Sequence, residues 1–123
     1  MKGDPDKLYV EVSAGGSYER ALRAGADAAL SRIAFAVPVD DRGEIELQVD
    51  VAGIDEAGGE TLCRTKVVVV RLPNHSLLGI AEGSARTRGV HDAARADCVE
   101  RLTTTLVRGK VRALLRAQVR AKR

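Results

Sequence analysis

"EIELQVDV", residues Glu44–Val51, alternates without a break: Ile45, Leu47, Val49 and Val51 point one way, and Glu44, Glu46, Gln48 and Asp50 the other. Period two is the period of a strand, and the chemical contrast predicts a sheet with one dry and one wet face. A wet face favours antiparallel neighbours over a parallel sheet covered on both sides. The stretches on either side fill in that sheet. "KLYVEV" (7–12) repeats the alternation with Leu8, Val10 and Val12. "TLCRTKVVVVRL" (61–72) reads as a long strand, turned back by "PNHS" (73–76). Its partner "LLGIAEGSARTRG" (77–89) sets Gly79, Ala81, Gly83 and Ala85 on one side and Leu78, Ile80, Glu82 and Ser84 on the other. A face of such small residues lets a helix pack close, although glycines also serve to shape a twisted strand. "AFAVPVDD" (34–41) contains Pro38, which has no N–H to give a ladder, so this piece is an edge strand or a connection.

Two segments change to helical period. In "YERALRAGADAALSRI" (18–33), Tyr18, Leu22, Ala26, Ala29, Leu30 and Ile33 share a face. Gly15 and Gly16 allow a sharp reversal before it, and Ser17 is placed to cap it. From His91 to the end, Val99, Leu102, Leu106, Val107, Val111, Leu114 and Leu115 form an apolar stripe, with Gly109 a position for a bend. A straight helix of about 30 residues is on the order of 45 Å long, and a domain of this size is about 35 Å across. Its last turns are expected to overhang or fray. The order is β-α-β-β-β-α: an α/β sandwich (α+β) of an antiparallel-rich sheet with two helices packed on one face. Residues 1–6 read as a linker and 7–123 as one domain, since 123 residues hold one core.

Composition narrows the function. Tyr9, Tyr18 and Phe35 are the only aromatics, which disfavours a deep small-molecule pocket and leaves few platforms for stacked bases. No stretch approaches the length of a membrane span, and the opening "MKGDPDKLYVEV" has no apolar leader core. The net charge of +3 conceals a polarity along the chain. Asp40, Asp41, Glu44, Glu46, Asp50, Asp55, Glu56 and Glu60 face a single base, Arg42, whereas the last sixteen residues carry Arg108, Lys110, Arg112, Arg116, Arg120, Lys122 and Arg123 and no acid. Opposite charge at two ends can guide association. Arg108, Lys110, Arg112, Arg116 and Arg120 are the candidate contacts for an anionic partner. The same pattern also describes the solvated side of a core helix, or a grip on nucleic acid.

Nothing gathers catalytic groups. His75 lies in a turn, and His91, Asp92 and Cys98 lie at the start of one helix, not facing one another as nucleophile activation requires. No catalytic residue, metal ligand set or cofactor is assigned, and the protein is not read as an enzyme. "SAGGSYER" sets a glycine turn before a helix start, a weak anion-site signal that turn geometry explains as well. The two cysteines, Cys63 on a strand and Cys98 in the last helix, are placed to form a strand-to-helix disulfide. Closing that loop would contribute roughly 3 to 4 kcal/mol and would point to an oxidising compartment. Two buried thiols in a cytoplasmic protein are the other reading.

The order of "KLYVEVSAGGSYERALRAGADAAL", "EIELQVDVAG", the meander "CRTKVVVVRLPNHSLLGIAEGSARTRG" and the final helix "DAARADCVERLTTTLVRGKV" resembles the small α/β modules of bacterial envelope lipoproteins. The groups in question are penicillin-binding-protein activators, curli-secretion lipoproteins and the N-terminal domain of the translocation protein TolB. The resemblance lies in pattern and carries no site residue across. It implies a non-catalytic interaction or assembly module, periplasmic or envelope-associated, whose partner is another envelope protein. The alternative is a cytoplasmic nucleic-acid-binding module that uses the basic helix.

Overall fold

The computed structural model describes residues 4–122. Met1–Gly3 and Arg123 lie outside them, and with them half of the expected linker and the last basic residue. Five strands form one open sheet: β1 (Leu8–Ala14), β2 (Ala36–Pro38), β3 (Ile45–Ala57), β4 (Glu60–Arg71) and β5 (Ser76–Arg88). Helix α1 (Glu19–Leu30) joins β1 to β2, and α2 (Asp92–Leu106) and α3 (Arg112–Ala121) follow β5, linked by a kinked turn at Val107–Val111. The α+β order read from the sequence holds, with β2 as an added edge strand.

Across the sheet the strands run β2-β1-β3-β4-β5. β3, β4 and β5 form two long antiparallel ladders, as the wet face implies. The other half departs from that expectation: β1 lies between β2 and β3 and is parallel to both. Helix α1 makes this possible, because a parallel return needs a crossover. One covering helix is enough for so short a parallel region, and its far side stays wet.

Register carries the alternation of single strands into a common core face. Leu47 lies opposite Val69, Val49 opposite Val67, Val67 opposite Ala81 and Val69 opposite Gly79. Above them α1 buries Leu22, Ala26, Ala29 and Leu30, and the C-terminal helices bury Val99, Leu102, Val107, Val111 and Leu115. Removing apolar surface from water at about 25 cal/mol per Å² is the main term holding such a sandwich together.

Two local expectations fail. Ser17 does not cap α1; Tyr18 is the N-cap residue and its side chain makes no capping bond. The chain instead closes a turn in which Glu19 N–H donates to Gly16 O at 3.3 Å, with Gly16 at φ +84°. Nor does the last helix overhang. Gly109, at φ −97° and ψ −105°, leaves helical geometry and re-aims the chain. Val119 is then buried, and Lys122 Nζ donates to Lys7 O at 2.8 Å and pairs with Glu44 at 2.9 Å. The tail is tied to the start of β1.

Candidate interaction surfaces

The histidines and cysteines are occupied structurally. His91 is the N-cap of α2, its Nδ1 accepting from Ala94 N–H at 3.2 Å. His75 sits in the β4–β5 turn at φ +59°, with Nε2 3.6 Å from Glu46. Cys63 and Cys98 are joined in a disulfide between β4 and α2, with Cα atoms 6.2 Å apart, inside the usual range. Cys98 is therefore not a nucleophile here. Among the described residues no three His, Cys, Asp or Glu side chains gather to hold a metal ion, and no helix is long and apolar enough to cross a membrane. A cavity of about 440 Å³ lies between the start of β3 and the end of α3, where Arg71 Nη2 donates to Gln118 Oε1 at 2.6 Å beside the Lys122–Glu44 pair. These contacts tether the tail.

The acidic segment does not form one patch. Glu44 pairs with Lys122, Glu56 with Arg95, Glu60 with Arg86 at 3.7 Å, and Asp50 lies on the open sheet face opposite Lys66. The hydrogen bond with Glu56, and then that carboxylate's charge, raise the Arg95 guanidinium above its ordinary pKa.

The basic helix is different. Arg108, Lys110, Arg112 and Arg120 are exposed and have no hydrogen bond or ion pair among the described residues. Arg116 lies over the Phe35 ring, 5.5 Å from its centroid, a cation–π contact. On α3, Arg112, Arg116 and Arg120 recur every four residues, where like charges repel on a helix surface. The fold adds a residue that the sequence run does not contain. Arg32, just past α1, lines a cavity of about 370 Å³ with Ile33, Arg108 and Arg112.

A second surface lies across the sheet. β5 is an edge strand of thirteen residues with a ladder on one side only. Leu77 and Ile80 on its open face are 61% and 37% exposed. The opposite edge, β2, is three residues long and ends in Pro38. Short length and proline are the usual protections of an edge, and β5 has neither.

No protein-family model matches the sequence, and no curated relative is detectably similar to it. Solved structures share its fold. A proposed lipoprotein from Caulobacter crescentus is 19% identical, with 93% of this chain and 92% of that one aligned at a TM-score of 0.60. A hypothetical protein from Chlamydia trachomatis is 9% identical over 90% and 99% of the two chains, at 0.69. The PelC dodecamer of Paraburkholderia phytofirmans is 14% identical over 89% and 86%, at 0.57. At these identities the likeness establishes the fold: that of small α/β proteins among which bacterial lipoproteins recur. The three particular groups named from the sequence remain a resemblance of pattern.

Proposed function

We propose that this chain is a non-catalytic assembly module of a bacterial cell envelope, in which β5 pairs with β5 of a second copy. The unprotected β5 edge carries the reading. The lipoprotein likeness and the disulfide support the envelope setting, since disulfides persist in oxidising compartments. The PelC structure, a dodecamer, supports assembly for this fold.

The edge is self-complementary in charge. In an antiparallel pairing centred on Ser84, Glu82 of each copy stands opposite Arg86 of the other, and Gly83 opposite Ala85. Opposite-charge cross-strand pairs contribute roughly 0.2–1 kcal/mol each. Arg86 already lies 3.7 Å from Glu60 of its own chain, so Glu82 of the second copy would extend an existing pair into a network. Centring on Glu82 would instead oppose two carboxylates.

The test is a Ser84→Cys variant under mild oxidation, with Ser76→Cys as control and light scattering on the unmodified protein. Ser84→Cys should cross-link into a covalent dimer and Ser76→Cys should not. Glu82→Arg should weaken the dimer, and adding Arg86→Glu should restore it. A monomer at every concentration, with no Ser84→Cys dimer, overturns self-assembly. The envelope setting has its own measurement: intact mass with thiol alkylation on protein from its native host. Cys63 and Cys98 should be alkylated only after reduction, and free thiols would exclude an oxidising compartment.

A further inference from the structure

We infer that the cleft between the end of α1 and the kink at Gly109, lined by Arg32, Arg108 and Arg112, binds a phosphate-bearing anion. Three observations meet there. The cavity, about 370 Å³, has three guanidinium side chains from two separate elements on its rim and Ile33 in its wall. None of the three has a hydrogen-bond or ion-pair partner among the described residues, in a protein that pairs Arg23, Arg86, Arg95, Arg101 and Lys122 with carboxylates. The chain is also kinked at this level: Gly109, outside helical geometry, breaks the run between α2 and α3 and sets Arg108 and Arg112 on either side of the break.

The chemistry selects the ligand class. One carboxylate is satisfied by one bidentate arginine. A phosphate group, with more oxygens and up to two charges, can engage several guanidinium forks at once. Such a ligand would also relieve the mutual repulsion of the like charges that Arg108 and Arg112 bring to one cleft. Double-stranded nucleic acid presents the same group in a long array, but a phosphate array would engage Arg116 and Arg120 along the same helix as strongly as the cleft. Arg116 is already held over Phe35. The cleft is accordingly assigned to a single phosphate or pyrophosphate group, free or on a lipid headgroup.

The experiment titrates the full chain at low ionic strength with inorganic phosphate and with pyrophosphate, followed by amide chemical shifts. In parallel, co-flotation is measured with phosphatidylcholine vesicles with and without phosphatidic acid. Saturable shifts at Arg32, Ile33 and Gly109 with pyrophosphate identify a free anion. Flotation only with phosphatidic acid, lost on Arg112→Gln, identifies the lipid-borne group. In either case Arg32→Gln and Arg112→Gln should each weaken binding about tenfold. Arg20→Gln, which removes the same charge from an exposed position on α1, should change it less than about twofold. Equal losses from all three variants, or no saturable response to any probe, overturn the cleft. Affinity for a DNA duplex that rises with its length, and falls equally on Arg116→Gln and Arg112→Gln, overturns it in favour of nucleic acid.

Discussion

The C-terminal helices meet their neighbours along two seams that reach close contact in opposite ways, α2 alone against α1 and both α2 and α3 against the sheet. Against α1 the contact is backbone to backbone: a methyl placed on Gly25 would lie 2.5 Å from Glu100 O and 2.9 Å from Thr103 Cβ. Thr104 Oγ1 donates across this seam to Gly25 O at 3.1 Å. Against the sheet the contact is through side-chain tips. A methyl on Gly83 would meet Leu106 Cδ2 at 3.0 Å and Leu102 Cδ1 at 3.3 Å, both on α2, and one on Gly79 would meet Leu114 Cδ1 of α3 at 2.7 Å. A carbonyl cannot move without its helix, whereas a leucine can turn to another rotamer. The first seam therefore fixes the distance between helices by shape alone. The second is yielding, and it is the one that carries the Cys63–Cys98 bond.

The largest effect should come from cutting that bond. Bridging residues 35 apart removes about 4 kcal/mol of chain entropy from the unfolded state. Reduction should lower urea stability by about that amount, and amide protection should fall first in β4, β5 and α2. A Cys63→Ala, Cys98→Ala double variant should be equally weak with or without reductant. If reduction instead loosens α1 as much as α2, the bond supports the whole core and the two seams are not distinct.

Gly25→Ala tests the rigid seam and should rank next. In an exposed helix interior, replacing Gly by Ala stabilises by about 1 kcal/mol. Here the methyl has no room, and overpacking against backbone costs about 3 kcal/mol, the upper end of its usual range. The net expectation is a loss of about 2 kcal/mol, read from a thermal or urea transition. A gain in stability would mean that α1 and α2 separate easily, and the contrast with the sheet seam would disappear.

These seams show what the sequence made legible. The small-residue face of β5 was readable because Gly79, Ala81, Gly83 and Ala85 keep strict period two, and a helix does lie there. The disulfide was readable as a possibility because a single strand cysteine and a single helix cysteine share the core side. The role of Gly25 depends on which helix crosses it, and no local pattern states that. The position of β1 was hidden for a similar reason. Its alternation suits a parallel or an antiparallel neighbour equally, and only the crossover through α1 decides. The basic stripe was plain in the run from Arg108 to Arg120, but Arg32 stands alone in sequence and joins it only where α1 ends beside the kink at Gly109. Charge runs are legible, and clefts shared between distant elements are not.

The smallest expected effect tests the yielding seam most directly. Gly79→Ala adds a methyl where Leu114 Cδ1 would be at 2.7 Å, yet Leu114 is only half-buried and can rotate away. Replacing a strand glycine recovers about 0.5–1 kcal/mol of backbone entropy, which should nearly offset the repacking and leave stability within about 0.5 kcal/mol of the parent. Leu114→Ala alone should cost more, because it removes part of the cover over β5 and leaves a gap that the surrounding structure fills only in part. In the double variant the methyl added by Gly79→Ala enters that gap, so the cycle of four proteins should show a favourable coupling of about 0.5–1 kcal/mol. A loss of about 2 kcal/mol from Gly79→Ala alone, relieved in the double variant by a coupling well above 1 kcal/mol, would mean that Leu114 cannot leave the space above Gly79. The seam would then be as rigid as the one at Gly25, and the disulfide would be redundant to it rather than its fixative.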